Sequence, residues 1–184
     1  MRADVHQHIW TDSLRDRPAA RDILPMVRRA HGLSILHSAA EPAYVIDVEG
    51  EAPDRRAALV RRDGLDLALI SISSPIGIEA LPRQSALELI DAHLNGVHLL
   101  AHLFAAWGPL ALDRPEANDV DDLVARGCVG VSLPAGALAG PDRPDLPGPL
   151  LERVAARPLP RLVHSSRAAG QPVAAVDFRE PASA

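Results

Sequence analysis

The order of segments predicts an α/β protein built on a parallel sheet. Short apolar runs alternate with stretches of helical period along the chain, and repeated alternation of this kind packs as parallel strands joined by right-handed crossovers. The run Leu65-Asp-Leu-Ala-Leu-Ile-Ser-Ile-Ser73 is nearly continuous in apolar character, as a strand buried on both faces requires.

Taken in order, residues 3–9 read as the first strand. Residues 12–30 read as helical or irregular, because Pro18 and Pro25 limit a continuous helix. Leu33–Ser38 and Ala43–Val48 form a small β-hairpin insertion around Glu41-Pro42. A helix over 53–62 carries Arg55, Arg56, Arg61 and Arg62 on its exposed side, and the strand over 65–73 follows. Residues 83–96 set Leu87, Ile90 and Leu94 on one helical stripe. Phe104–Leu112 is the third parallel strand, and Val120–Arg126 is a short helix whose Asp119, Asp121 and Asp122 suit a helix N-terminus. Cys128–Leu133 is the fourth strand, Asp142–Gly148 a proline-rich loop, Pro149–Arg157 a helix and 159–164 the fifth strand. The folded domain is expected over 1–166. The alanine-rich, aperiodic stretch over 167–184 reads as a disordered tail.

Composition narrows the function classes. A hydrophobic fraction of 47% supports one core. A net charge of −5 provides no footprint for nucleic acid or an anionic membrane. All 19 basic residues are arginine, which excludes a carbamylated-lysine metal bridge and Schiff-base chemistry. Cys128 is the single cysteine, so no internal disulfide is expected, and its apolar surroundings suit a buried small hydrophobe better than a nucleophile. No apolar segment of secretory type follows Met1-Arg-Ala-Asp4, and the run from Leu67 to Ile72 is far too short to span a bilayer. A cytoplasmic protein is the expectation.

The chemistry is concentrated in three histidines. In an extended strand, side chains at i and i+2 point to one side, so His6 and His8 project together. Asp4 shares that face and is expected to orient an imidazole. His164 ends a short apolar run, Pro160-Arg-Leu-Val-His164, where the chain turns polar. Each has a bland explanation alone: a chance pair in a short strand, and a hydrogen-bonded histidine at a strand end. Together, three neutral imidazoles hold a divalent metal and leave a fourth position open.

Other candidates read as structural. His98 and His102 have i, i+4 spacing but lack the glutamate of a His-Glu-x-x-His motif, and Asn95-Gly96 suggests that the helix has already ended. His93 is assigned to the solvent side of its helix, and His31 and His37 to the surface or loops around the hairpin. Ser71, Ser73 and Ser74 end their strand without a nucleophile elbow around them. Trp10 and Trp107 are placed either to pack or to wall a pocket.

The opening Asp4-Val-His-Gln-His-Ile-Trp10 resembles the first-strand signature of the amidohydrolase superfamily, in particular its amidohydrolase-2 branch. Leu159–His164 is similar to that branch's fifth-strand histidine segment, and Gly127–Leu133 to its fourth strand. The resemblance covers most of residues 1 to about 166. It implies a (β/α)₈ barrel, one or two divalent metals, and hydrolysis of C–N, C–O or related bonds or decarboxylation of aromatic acids. On this chain it implies His6, His8 and His164 as metal ligands, zinc as the ion and a small-molecule substrate.

The family's sixth-strand histidine and eighth-strand aspartate have no counterpart. Asp177 lacks a strand context, and the sequence places none of Asp12, Asp47, Glu49 or Asp113 beside the histidine pair. A complete barrel runs ~250 residues, so the expected architecture is an incomplete TIM-type (β/α) barrel of about five units. Its activity is expected to be impaired. The alternative is a catalytically silent truncated relative or an interaction fragment, with self-association through open sheet edges.

Overall fold

A computed structural model describes residues 1–39, 41–100, 102–135 and 148–164. The proline-rich loop over 142–147 and the tail over 167–184 lie outside the described residues.

Five parallel strands form the main sheet: β1 (Ala3–Gln7), β5 (Leu67–Ile70), β6 (Phe104–Pro109), β7 (Gly130–Pro134) and β8 (Arg161–His164), hydrogen-bonded in that order. The order follows the chain without reversal. A doubly wound sheet reverses its strand order part-way across, so this sheet is singly wound. It curls into a half-barrel flanked by helices, compatible with an incomplete β/α barrel. The helices are α1 (Asp12–Ala19), α2 (Pro53–Arg62), α3 (Arg83–His98), α4 (Ala117–Ala125) and α5 (Gly148–Ala155).

The expected hairpin is present, enlarged by one strand. β2 (Met26–Ala30), β3 (Leu33–His37) and β4 (Tyr44–Ile46) form an antiparallel three-stranded sheet. β2 falls where the sequence suggested a helical or irregular stretch. The two-residue turn His31-Gly32 has φ of 49° and 79°, the backbone that a tight hairpin needs. Glycine adopts it freely.

The core lies between the strands and the helices. Leu14 of α1, Val60 of α2, Leu89, Leu94 and Val97 of α3, Val120 of α4 and Leu150 of α5 share one buried cluster with Ala68, Ile70, Ala106 and Val131 of the strands. Burying each such aliphatic side chain is worth ~1.5–3 kcal/mol. The helix over 83–96 extends to His98, so Asn95-Gly96 does not end it. Gly96 is instead a close-packing residue. A Cβ there would stand 2.0 Å from the Thr11 Oγ1, and Thr11 caps α1 by accepting from the Leu14 N–H.

His93 corrects the sequence reading. It is wholly buried rather than on the solvent side of α3. The apolar stripe runs Ala86, Leu89, Ile90, His93, Leu94, Val97, with steps of three and four residues that put His93 on the inner face. Trp10 packs as well, buried and stacked on Tyr44 at 26° between planes. No helix among the described residues is long and apolar enough to cross a membrane.

An ion pair holds the C-terminal rim of the strands in place. Arg83, at the start of α3, forks onto Asp119 of α4 with nitrogen–oxygen distances of 2.8 and 2.6 Å. Both helices begin at that rim, so the planar, bidentate pair ties two rim loops together. Burial pushes the Asp119 carboxyl up, but the Arg83 hydrogen bond, the Glu116 N–H and the Arg83 charge together outweigh it and leave the pKa lowered.

Candidate metal centre

The site begins with an irregularity in β1. Asp4 pairs with Ala68 and Gln7 with Ile70, so three residue steps on β1 match two on β5. The extra residue makes a β-bulge, which re-aims side chains and removes backbone groups from the ladder. Those groups find side-chain partners. The His6 N–H donates to the Asp4 Oδ1 at 3.0 Å, and the Val5 carbonyl accepts from the Trp107 Nε1–H at 2.8 Å. The second Asp4 oxygen takes the Gln7 Nε2–H at 2.7 Å. Both Asp4 oxygens therefore brace the strand, and the expected Asp4–imidazole bond gives way to a main-chain role. The Gln7 bond is the leading cause of the lowered Asp4 pKa.

His8 follows at the end of β1. Its Nδ1 lies 3.0 Å from the Ser71 carbonyl oxygen. A carbonyl only accepts, so Nδ1 carries the proton and Nε2 of the neutral ring presents a lone pair. This is how metal-ligating histidines are commonly oriented. Burial lowers the His8 pKa, and the nearby charges of His6 and Arg56 lower it further against the raising effect of the Ser71 carbonyl. The neutral, ligating form is favoured. Arg56 also braces the strand end, donating to the Gln7 Oε1 at 2.9 Å and the His8 carbonyl at 3.2 Å.

His164, at the end of β8, completes the group. Its Nε2 is 3.3 Å from the His8 Nε2. Ring centroids stand 4.8 Å apart for His6–His8, 4.6 Å for His6–His164 and 5.2 Å for His8–His164, all edge-on. One ligand atom from each of the three falls within 4.8 Å of the others, and among the described residues this is the metal-capable cluster. Two nitrogens bound to one zinc at ~2.05 Å and tetrahedral angles are separated by ~3.3 Å. The His8–His164 distance matches that chord, and with the His6 ligand atom within 4.8 Å of both the three residues could hold a divalent ion. His6 is exposed and His8 half-buried, leaving an entry path from solvent.

The same rim carries a small cleft lined by Ser71, Ser73, Ser132, Glu79 and His164 over the apolar Ile72, Ile78 and Leu110. Ser71 and Ser132 are buried, with their hydroxyls 3.4 Å apart. Glu79 escaped the sequence reading. A 3₁₀ turn over Ile78–Ala80, entered through Gly77 at φ 68°, carries it to the cleft. No motif surrounds it. The only sequence cue is a glycine two residues earlier, at a strand-to-helix connection.

The remaining candidates take structural places. His98 ends α3 while His102 lies past its C-cap, so no shared helical face joins them. Cys128 is buried, and burial pushes its thiol up to about 11, leaving it protonated and inert near neutrality. No protein-family model matches the chain, and no curated protein is similar enough to be counted a relative.

Proposed function

We propose that this chain is a metal-dependent hydrolase of the amidohydrolase-2 type, with His6, His8 and His164 holding one zinc ion. The observation that carries the reading is the His8–His164 Nε2 separation of 3.3 Å, with the His8 tautomer set by the Ser71 carbonyl. An ion bound there supplies Lewis acidity and lowers the pKa of a bound water toward ~7.

The chain's own residues supply the rest. Glu79 faces the cleft that His164 also lines and accepts the proton from the attacking water as general base. Ser71, Ser73 and Ser132 offer hydroxyls to an amide or lactone, and Ile72, Ile78 and Leu110 pack its apolar part. A small neutral substrate suits this mixture of hydroxyls and aliphatic side chains.

The test is calorimetric titration of purified, metal-stripped chain with zinc, followed by a panel of amides and lactones. One ion per chain is expected, with binding lost in a His6→Ala/His8→Ala double variant and turnover abolished by His8→Ala. Zinc binding without turnover on any substrate would leave the silent-relative reading. Equal zinc retention by wild type and double variant would sink the metal site itself.

A further inference from the structure

We propose that Trp107 is a positioning residue for His6, holding the β1 bulge through its indole N–H. The inference rests on the metal reading for its functional meaning, though the positioning can be observed in the metal-free chain.

A bulge leaves backbone groups without their ladder partners. One extra residue between Asp4 and Gln7 interrupts the β1–β5 ladder, and buried backbone groups released from a ladder need new partners. The Val5 carbonyl immediately precedes the His6 amide. It accepts from the Trp107 Nε1–H at 2.8 Å, a bond between residues 102 positions apart. Trp107 lies on β6, and β5 stands between β6 and β1. The indole therefore reaches across an intervening strand to the peptide unit that carries His6.

The indole is itself held. Trp107 is 5% exposed, and Gly130 on the neighbouring β7 leaves it room: a Cβ at Gly130 would stand 2.6 Å from the Trp107 Cζ3. Trp107 pairs with Gly130 in the β6–β7 register. A rigid ring seated over a glycine thus sets the tilt of the Val5–His6 peptide, while Asp4 holds its N–H side at 3.0 Å. His8 needs no such device, because it sits past the bulge with its own partner, the Ser71 carbonyl. His6 and His8 are held by separate supports, and His6 depends on Trp107.

A Trp107→Phe variant keeps a ring but loses the N–H. Partners that orient metal ligands typically carry ~10–100-fold in affinity, and about tenfold weaker zinc binding is expected here. Two further readouts separate positioning from general loosening. In the metal-free chain, the imidazole resonances of His6 should move in Trp107→Phe while those of His8 stay in place. With cobalt(II) as the probe, the intensity and position of the visible bands should change along with affinity.

Val154→Ala, a core change on α5 at the opposite edge of the sheet, provides the control. It should lower thermal stability while leaving the His6 resonances unmoved. Unchanged His6 resonances in Trp107→Phe, or equal displacement of His6 by Val154→Ala, would overturn the inference. A wild-type chain that binds no metal, yet shows the His6-specific displacement, would uphold the positioning and defeat the metal reading alone.

Discussion

Replacing His93 with leucine should remove part of the protein's sensitivity to acid. His93 is wholly buried, and neither ring nitrogen makes a hydrogen bond of good geometry, although the Ile70 carbonyl lies close enough to act on the ring. Burial, reinforced by the charges of His8 and His98, lowers its pKa from 6.5 to about 3, and the Ile70 carbonyl offsets this only in part. The unfolded chain binds a proton at this residue below pH 6.5, whereas the folded chain resists one until about pH 3. Between those limits the unfolded state holds more protons. Stability is therefore intact above pH 6.5 and falls as the pH drops toward 3, by up to ~1.4 kcal/mol for each pH unit. At pH 4.5 the loss amounts to ~2.5–3 kcal/mol, a large share of the ~5–15 kcal/mol that holds a domain together.

His93→Leu removes the titrating group and two buried, poorly satisfied nitrogens at similar volume. At pH 7.5 the variant should be as stable as wild type or more so, since an unsatisfied buried polar group costs ~1–3 kcal/mol. Urea unfolding followed by circular dichroism at pH 7.5 and 4.5 measures the difference, with unchanged m-values confirming that compactness is unaltered. The wild type should lose ~2.5–3 kcal/mol more than His93→Leu between the two conditions. Equal losses would show that His93 finds a proton or a partner in the folded state, and the reasoning from burial would fall.

Other perturbations follow from the same geometry. Gly96→Ala should cost ~2 kcal/mol despite alanine's better helix propensity, because its Cβ would meet the Thr11 hydroxyl 2.0 Å away. Combining it with Thr11→Ala should recover part of that loss in thermal denaturation, whereas simple additivity would refute the contact. If the chain hydrolyses a lactone or amide, Glu79→Gln should lower kcat by ~100-fold or more with zinc affinity unchanged. A fall in zinc affinity instead would make Glu79 a ligand rather than a base.

Much of this molecule was legible in its sequence. The alternation of apolar runs and helical stripes sufficed for a parallel sheet in chain order, because those periodicities report local geometry and which face is buried. Cys128 was readable as a buried thiol from its apolar neighbours. His6, His8 and His164 were picked out by spacing and strand-end position, and the structure brings all three together. His93 was assigned to the solvent side of its helix, although it falls on the apolar stripe. The stripe from Ala86 to Val97 passes through it, and Gly96 serves close packing against Thr11.

What the tertiary structure decided depends on pairings between distant residues. His8 and His164 meet across 156 positions, and no local pattern sets a distance of that kind. An i, i+2 argument assumes a regular strand, but β1 bulges between Asp4 and Gln7. The aim of His6 therefore depends on Trp107 and Asp4 as well as on its place in the strand. The Ser71 carbonyl, which selects the ligating tautomer of His8, belongs to the backbone and leaves no mark in residue identity. Glu79 reaches the cleft because a left-handed glycine turns the chain back toward the strand ends. Periodicity tells which face a residue occupies, but register, bulges and backbone acceptors determine what it meets there.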